Sequence, residues 1–211
     1  MKHARVVYQG HVANAIESEG ALLLEDGRRE NFDAVQWLPP LLPTPRPRTI
    51  LALGLNYADH AKELAFKEPP KEPLAFVKGE GALIGHRALT RRPAGVSYMH
   101  YECELAVMVG RTARHVRKED ALDFVGAYLV ANDYAIRDYL ENWYRPNLRV
   151  KNRDTCTPIG PWRVDAADIH QRPGGAMNLA LQTTVNGQIT QQGNTRDMIF
   201  DVATLIAYFS S

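Results

Sequence analysis

The sequence has few of the features that mark secreted, membrane-spanning or nucleic-acid-binding proteins. It contains only two cysteines, Cys103 and Cys156, which are too few for a disulfide framework. No apolar run approaches the roughly 18 residues that cross a membrane, and the first residues lack the basic and apolar segments of a secretory signal. The formal net charge is +1, without the excess of one sign that favours binding to nucleic acids or membrane surfaces. We therefore expect a cytoplasmic protein with free thiols that binds neither nucleic acid nor membrane.

A proline-rich segment is the most evident boundary in the chain. Its five prolines are Pro39, Pro40, Pro43, Pro45 and Pro47, and such a segment is stiff and extended. Short strand-like pieces alternate with turn signals before it, and a larger unit begins with a strand after it. We predict a small N-terminal β subdomain with its linker over residues 1–47 and a larger domain over residues 48–211.

Hydrophobic patterning predicts both helices and strands. We expect helices at residues 57–66, 120–124, 134–143 and 201–209, and strands at residues 5–8, 21–24, 50–53, 74–77, 101–109, 125–131 and 180–185. These elements do not alternate regularly. A mixed or antiparallel sheet is therefore favoured over a doubly wound fold.

Two glutamates, Glu102 and Glu104, interrupt the apolar run YECELAVMVG. Alternate side chains of a strand share a face, so both carboxylates project together while Cys103 points away. A solvated strand face is one explanation for such a pair, but the apolar residues that follow indicate a strand buried on both faces. Two carboxylates about 4 Å apart repel by roughly 1 kcal/mol in water and roughly 4 kcal/mol at an effective dielectric near 20. A bound cation is the simplest way to remove this repulsion.

A third acid, Asp133, follows a second apolar run at residues 125–131. It could also be the N-cap of the helix predicted at residues 134–143, and the two roles are compatible. Three carboxylates without a neighbouring His or Cys favour a hard cation and disfavour zinc. We predict that Glu102, Glu104 and Asp133 bind Mg²⁺, with Mn²⁺ or Ca²⁺ as alternatives, and that waters or substrate oxygens complete the coordination.

Other polar residues lie where they could bind a substrate or transfer a proton. His60 and Glu63 are three residues apart, so on a helix the carboxylate can orient the imidazole. Lys78 follows an apolar strand, and Lys151 precedes the rigid segment TPIGP. Taken singly, each of these residues also fits an ordinary solvated surface.

Six motifs occur in an order that resembles the fumarylacetoacetate hydrolase family over residues 48–209: NYxxHxxE, FVKG, YExELAV, ANDYAIRD, KNRDTxxPIGP and NTRDMIFDVATLI. The resemblance implies an α+β, mainly β fold, a mixed β-sheet roll that forms homodimers. It also implies a divalent cation on the three acids. The runs MHYECELAVMVG and NDYAIRDYLENWYRPNLRVKNRDTCTPIGPW are most similar to the isomerase/decarboxylase members of the family that act in aromatic catabolism.

The same resemblance implies roles for the polar residues. Lys151 would lie beside the metal and contact the substrate, whereas His60 and Glu63 would transfer a proton or activate water. The residues that would bind the remainder of the substrate, its carboxylates in particular, are Lys78, Arg137, Tyr139 and Asp154. Gly79 follows Lys78 where the family more often has proline, so this loop departs from the family pattern.

The expected reaction is divalent-metal-dependent decarboxylation and enol/oxo isomerisation of small-molecule 2-oxo or 2-hydroxydienoic acids with two or three carboxylates. A cation can stabilise the electron pair that departing CO₂ leaves behind, and His60 would move the proton between carbons. A hydrolase of acylpyruvates or fumarylacetoacetate could use the same residues to activate water instead. A non-catalytic metal-binding module is the alternative from another class.

Family members usually continue past the helix that matches residues 201–209. The continuation is a Pro-Gly-Asp turn and a strand that leads to a Thr-Gly-Thr-Pro loop, which contributes to substrate binding. This sequence ends at Ser211, so we expect those C-terminal strands to be missing from it. Strands without their neighbours leave backbone groups unpaired.

Overall fold

The computed structural model describes residues 1–44, 47–57, 70–140 and 147–211. Strands outnumber helices in these ranges, which confirms the predicted α+β, mainly β class. The helix predicted at residues 57–66, including His60 and Glu63, lies outside the described residues apart from Tyr57. Within the described ranges, every helix is too short or too polar to cross a membrane.

The strands are β1 (Lys2–Tyr8), β2 (His11–Ser18), β3 (Ala21–Leu24), β4 (Arg29–Glu30), β5 (Gln36–Leu38), β6 (Ile50–Gly54), β7 (Leu74–Lys78), β8 (Leu83–Ile84), β9 (Met99–His100), β10 (Cys103–Val109), β11 (Val125–Asn132), β12 (Ala135–Ile136), β13 (Thr157–Pro158), β14 (Arg163–Asp165), β15 (Ala180–Val185) and β16 (Gln188–Asn194). The α-helices are α1 (Leu148–Lys151), α2 (Ala166–His170) and α3 (Val202–Phe209). Single 3₁₀ turns or short 3₁₀ helices occur at Glu80–Ala82, Lys118–Phe124, Arg137–Tyr139, Gly175–Met177 and Thr195–Asp197.

The main sheet has eight strands in the order β10-β11-β14-β1-β2-β3-β4, and β5 also pairs with β1. Its pairs are antiparallel throughout the described residues. The pairs β6–β7, β9–β12 and β15–β16 are antiparallel, and β8–β13 is parallel. One sheet therefore contains strands from before and after the proline-rich segment. The division into residues 1–47 and 48–211 stays a prediction.

Two-residue turns fix the register of two hairpins. Gln9–Gly10 connects β1 to β2, with φ angles of 47° and 81°. Asn186–Gly187 connects β15 to β16, with φ angles of 51° and 80°. Loops with two positive φ angles match the twist of antiparallel strands, and glycine adopts such angles without steric cost.

Alternation along the strands builds the hydrophobic clusters. In β1, Ala4 and Val6 are buried between partly exposed neighbours, as expected for a strand with one face on a core. Together with Ala15, Leu22, Leu24 and Trp37, these residues form a cluster within the N-terminal strands. A second cluster packs α2 and α3 against β11 through Tyr128, Ile169, Val202 and Ile206.

Most predicted elements are present with boundaries shifted by a few residues, but the helix at residues 134–143 is wrong over its described part. Ala135–Ile136 forms β12, which pairs with β9, and a 3₁₀ turn follows at Arg137–Tyr139. Both residues of β12 are 0% exposed, so burial outweighs helix propensity here. Asp133 is therefore not the N-cap of an α-helix at this position.

The strand β10 is less buried than predicted. Leu105–Met108 is half-buried, and Val109 is 49% exposed. The reason is that β10 lies at the end of the described strand order. The Gln191 side chain covers part of this edge: its Oε1 accepts from Cys103 N at 2.8 Å, and its Nε2 donates to Cys103 O at 3.3 Å.

Candidate active site

Three acids, Glu102, Glu104 and Asp133, converge where the β10–β11 ladder ends. Cys103 pairs with Asn132 at this point. Asp133 N donates to Glu102 O at 2.8 Å, and Glu102 N donates to Asn132 Oδ1 at 2.9 Å. One carboxylate oxygen from each acid lies within 4.8 Å of the other two. The structure thus brings the three predicted metal ligands together.

The spacing and chemistry of these oxygens fit a hard divalent cation. Two oxygens on one ion lie at most about twice the bond length apart, which is about 4.2 Å for Mg²⁺ and about 5 Å for Ca²⁺. The 4.8 Å bound on the carboxylate oxygens lies within the span of Ca²⁺, and oxygens at that bound must move slightly closer together to share Mg²⁺. Both carboxylate oxygens of Asp133 are buried and have no well-directed hydrogen bond among the described residues. Each of these oxygens contacts a lysine ammonium group, but a carboxylate oxygen has two lone pairs, so each can also bind an ion. An all-oxygen donor set is the kind that Mg²⁺, Mn²⁺ and Ca²⁺ prefer.

Three cationic side chains surround the acids. Lys151 Nζ donates to Glu102 Oε2 at 2.5 Å and lies 2.9 Å from Asp133 Oδ2. Lys78 Nζ lies 2.6 Å from Asp133 Oδ1. Arg137 Nη2 donates to Glu102 Oε1 at 2.9 Å. The expectation that a metal ion alone relieves the repulsion is incomplete, because these cations already oppose the charge of the acids.

Both lysines are buried, with relative exposures of 4% for Lys78 and 6% for Lys151. Lys78 ends β7 and shares a face with the buried Phe76, two residues earlier. Its Nζ also donates to Lys151 O at 2.5 Å and to Thr157 Oγ1 at 2.9 Å. Lys151 ends α1, and its Nζ donates to the backbone oxygen of Asp133 at 2.9 Å. The predicted surface alternative is therefore wrong for both lysines.

The acids and Lys151 have altered proton affinities. Burial raises the pKa of Glu104 to about 8, and the negative charge of Asp133 adds to the rise. Burial acts to lower the pKa of Lys151, but the charges of Asp133, Glu102 and Glu104 outweigh it, so that this pKa is raised. Near neutral pH and without a bound metal ion, Glu104 is largely protonated and Lys151 is charged. A cation that binds through Glu104 displaces its proton.

The other predicted site residues are distributed differently. The Tyr139 ring packs under the Arg149 guanidinium, 4.6 Å from its carbon. Asp154 is exposed and lines an open cavity together with Arg153. Among the described residues, no hydrogen bond or ion pair joins Tyr139 or Asp154 to the three acids.

Three residues near the acids were not singled out from the sequence. Thr157 accepts the hydrogen bond from Lys78, and His100 Nδ1 accepts one from Arg137 Nε at 3.2 Å. The Tyr57 hydroxyl is buried without a hydrogen-bond partner in the described ranges, and burial, followed by the charge of Glu104, raises its pKa. The motif NYxxHxxE contains Tyr57 and offered a signal for it, whereas nothing in the local sequence marks the other two.

The fold is mainly β, and three carboxylates converge beside two buried lysines. These features are typical of a protein that binds a hard divalent cation. The model of the Fumarylacetoacetate (FAA) hydrolase C-terminal family matches residues 49–211. The chain belongs to the fumarylacetoacetate hydrolase family.

Among curated relatives, the chain is similar to the 4-hydroxyphenylacetate degradation bifunctional isomerase/decarboxylase of Salmonella dublin. The two are 56% identical over 165 residues, which cover 77% of this chain and 37% of the relative. The chain therefore spans well under half the length of that protein.

Solved structures show the same fold. The 5-carboxymethyl-2-hydroxymuconate delta-isomerase of Mycobacterium smegmatis superposes with a TM-score of 0.81 at 30% identity, covering 100% of this chain and 81% of that one. A fumarylacetoacetate hydrolase from Exiguobacterium antarcticum gives a TM-score of 0.80 at 28% identity, with the same coverage of 100% and 81%. These similarities agree with the fold that the six motifs imply.

Proposed function

We propose that this chain carries a divalent-metal-dependent isomerase/decarboxylase site for 2-oxo or 2-hydroxydienoic di- and tricarboxylic acids. The observation that carries this proposal is the cluster of Glu102, Glu104 and Asp133, whose oxygens lie within 4.8 Å of one another beside Lys78 and Lys151. The isomerase/decarboxylase named above, at 56% identity, supports the same activity.

The three acids would hold the ion, with Mg²⁺ expected and Mn²⁺ or Ca²⁺ as alternatives. When bound, such an ion supplies positive charge that stabilises negative charge developing on a substrate oxygen. Glu104 contributes its carboxylate after losing its proton, and Asp133 contributes oxygens that lack directed hydrogen bonds in the described residues.

Lys151 and Arg137 would position the substrate. The Lys151 ammonium is fixed by Glu102 and Asp133 and can donate to a substrate oxygen beside the acids. The Arg137 guanidinium has further N–H groups beyond those that contact Glu102 and His100. These groups suit a substrate carboxylate, and Lys78 would support the site by fixing Asp133.

Proton transfer is assigned to His60 and Glu63. In decarboxylation, the carbon–carbon bond to CO₂ breaks and its electron pair moves into the conjugated oxo acid. His60, oriented by Glu63, would then deliver a proton to carbon, and moving a proton between carbons is also what isomerisation requires. Both residues lie outside the described part of the chain, so their roles rest on the motif NYxxHxxE.

The test is to assay the purified chain with 5-oxopent-3-ene-1,2,5-tricarboxylate and to measure CO₂ release with and without added Mg²⁺, Mn²⁺ or Ca²⁺. We expect metal-dependent CO₂ release that EDTA abolishes. Tight cation binding without turnover of any 2-oxo acid would instead support the non-catalytic metal-binding module.

A hydrolase is the second candidate function. The structural similarity to a fumarylacetoacetate hydrolase, with a TM-score of 0.80, favours keeping it. In this case His60 and Glu63 would activate water to attack a carbonyl. Cleavage of acetylpyruvate without decarboxylation of the tricarboxylate would select the hydrolase.

We also propose a homodimer, on the basis of the family resemblance, and a cytoplasmic location. The location is supported by two cysteines that are both free and buried. Sedimentation equilibrium of the purified chain tests the oligomeric state.

A further inference from the structure

An open cavity of about 620 Å³ has none of the three acids in its lining and takes no part in the proposed chemistry. Two short segments line it, the first with Leu89 and Arg91 and the second with Arg153, Asp154 and Thr155. Its volume is in the range that accepts small organic ligands, roughly 300–1,000 Å³.

The Arg153 guanidinium forms no ion pair among the described residues, although Asp154 lines the same cavity. Its Nη1 donates to Asp154 O at 3.2 Å, and its Nη2 makes a weak contact of 3.6 Å to Met99 Sδ. Its Nε is buried without a hydrogen-bond partner in the described ranges, where no carboxylate forms an ion pair with it. A guanidinium has five N–H donors, and a partly buried cation without an anion is unfavourable. An anionic ligand would satisfy both the charge and the free donors.

A second guanidinium and a strained backbone support the same conclusion. Arg91 is exposed and also lines the cavity. Its backbone N donates to Thr155 Oγ1 at 3.0 Å and so connects the two segments. Thr155 has φ of 63°, which is rare for a β-branched residue. Such strain persists where surrounding contacts enforce it, and it clusters at ligand sites.

Residues that line or contact the cavity are close in sequence to residues of the candidate active site. Arg153 is two residues from Lys151, so their Cα atoms are at most about 7 Å apart. Met99, which contacts Arg153, precedes His100, which accepts a hydrogen bond from Arg137. Asp154 also lines the cavity and would repel an anion, but the two arginines leave the lining with a net positive charge.

We propose that this cavity binds a carboxylate group and that Arg153 is its principal anchor, with Arg91 as a second cation. The carboxylate is either the one remote from the 2-oxo group of the substrate or that of a separate small dicarboxylate. The first source rests on the proposed function. The second does not. Arg153 and its planar guanidinium suit a carboxylate because two parallel N–H groups can donate to its two oxygens.

The experiment uses three probes in the presence of Mg²⁺: 2-oxoglutarate, 2-oxopentanoate and glutarate. The first two share the 2-oxo acid group and chain length, and only 2-oxoglutarate has the remote carboxylate. Glutarate has two carboxylates but no 2-oxo group. Calorimetric titration measures the Kd of each for the wild type and for Arg153→Gln, Arg153→Lys and Arg91→Gln, with exposed Arg172→Gln as the matched control.

If the remote carboxylate binds here, the wild type prefers 2-oxoglutarate to 2-oxopentanoate. Arg153→Gln should then raise the Kd of 2-oxoglutarate by about 10- to 100-fold and leave the Kd of 2-oxopentanoate unchanged. Arg153→Lys should retain part of the preference for 2-oxoglutarate. Arg91→Gln, at an exposed position, should raise the Kd of 2-oxoglutarate by about 2- to 5-fold. The Arg91 variant keeps the proposal testable even if the Arg153 variants fold poorly, as circular dichroism will reveal.

The remaining outcomes separate this proposal from the proposed function. If the wild type binds glutarate but neither 2-oxo acid, and Arg153→Gln removes the glutarate binding, the anion site is supported and the 2-oxo acid function is contradicted. If Arg153→Gln loses glutarate binding but still prefers 2-oxoglutarate to 2-oxopentanoate, the cavity is a separate dicarboxylate site. If both 2-oxo acids bind equally well to the wild type and to every variant, and glutarate does not bind, the anion site is overturned and the proposed function stays intact.

Discussion

Lys78 Nζ lies 2.6 Å from Asp133 Oδ1, and both side chains are 3% exposed. The desolvation of two charges consumes much of their mutual attraction, so such a pair adds little net stability compared with apolar residues of similar size. Removing one partner is different because it leaves the other charge buried. The pair therefore makes the fold sensitive to single changes at this site.

Replacement of Lys78 should destabilise the chain strongly. We expect Lys78→Met to lower the free energy of unfolding by about 3–5 kcal/mol, measured by urea denaturation without added metal. The matched control is Lys118→Met, because the ion pair of Lys118 with Asp201 is much more exposed, with side-chain exposures of 58% and 27%. The control should change stability by about 1 kcal/mol or less. Equal losses in both variants would contradict the assignment of a buried pair.

The stability of the metal-free chain should fall as the pH rises. Burial raises the pKa of Glu104 from its ordinary 4.5 to about 8. Between these pH values the folded state keeps a proton that the unfolded state has lost, so stability decreases through this window and levels off above pH 8. Glu104→Gln should flatten this dependence. Urea midpoints measured from pH 5 to about pH 9 in EDTA provide the test, and a midpoint that rises over this range in the wild type would contradict the raised pKa of Glu104.

Loss of Glu104 should also remove metal binding. Glu104→Ala deletes one of the three donors, so we expect neither cation binding by calorimetry nor metal-dependent turnover. Glu80→Ala is the control, since Glu80 pairs with Arg48 at a partly exposed position and has no role in the cluster. If Glu104→Ala retained normal turnover, the metal site would be wrongly assigned.

A different result is expected for His60. His60→Ala should leave the Kd for Mn²⁺ unchanged and slow turnover by about 10²- to 10⁴-fold, the usual contribution of a general acid or base. Glu63→Gln should reduce turnover less, because it orients the imidazole without moving a proton itself. A weakened Mn²⁺ affinity in His60→Ala would instead place His60 among the ligands.

The cap of α3 can be tested separately from the site. Thr204 N donates to Asp201 Oδ1 at 2.7 Å, which satisfies one of the free N–H groups of the first turn. Asp201→Ala should cost about 0.5–2 kcal/mol of unfolding free energy, whereas Asp201→Asn keeps the acceptor and should cost less. Similar losses for both would show that charge, including the ion pair with Lys118, matters more than the cap.

Strands and the position of the acids could be predicted because their signals are local. Short strand-like runs identified β1, β3 and β15, and the Glu102–Glu104 spacing placed two carboxylates together. The helix predicted at residues 201–209 is present as α3, and Asp201 is its N-cap. In each case, the deciding contacts lie within a few residues of one another.

The predictions that were wrong or missing concern residues whose surroundings come from parts of the chain distant in sequence. Ala135 and Ile136 favoured a helix by sequence, but pairing with β9 made them a strand. A lysine at the end of a strand usually lies in water, and only the fold shows that Lys78 contacts Asp133. Arg153 carried no special signal because its lack of an ion pair and of a partner for Nε is a property of the folded cavity. The charge balance around the acids could therefore not be derived from the sequence.

The Gln191 carboxamide imitates the peptide group of a neighbouring strand, since it both accepts from and donates to the backbone of Cys103. Its oxygen also accepts from Thr183 Oγ1 at 2.8 Å, which fixes the orientation of the amide. Deamidation of this one residue would replace the donating NH₂ with oxygen and put a further carboxylate beside the strand that carries Glu102 and Glu104. Chemical ageing at Gln191 would then weaken the link between the β15–β16 hairpin and the acids without any mutation in the gene.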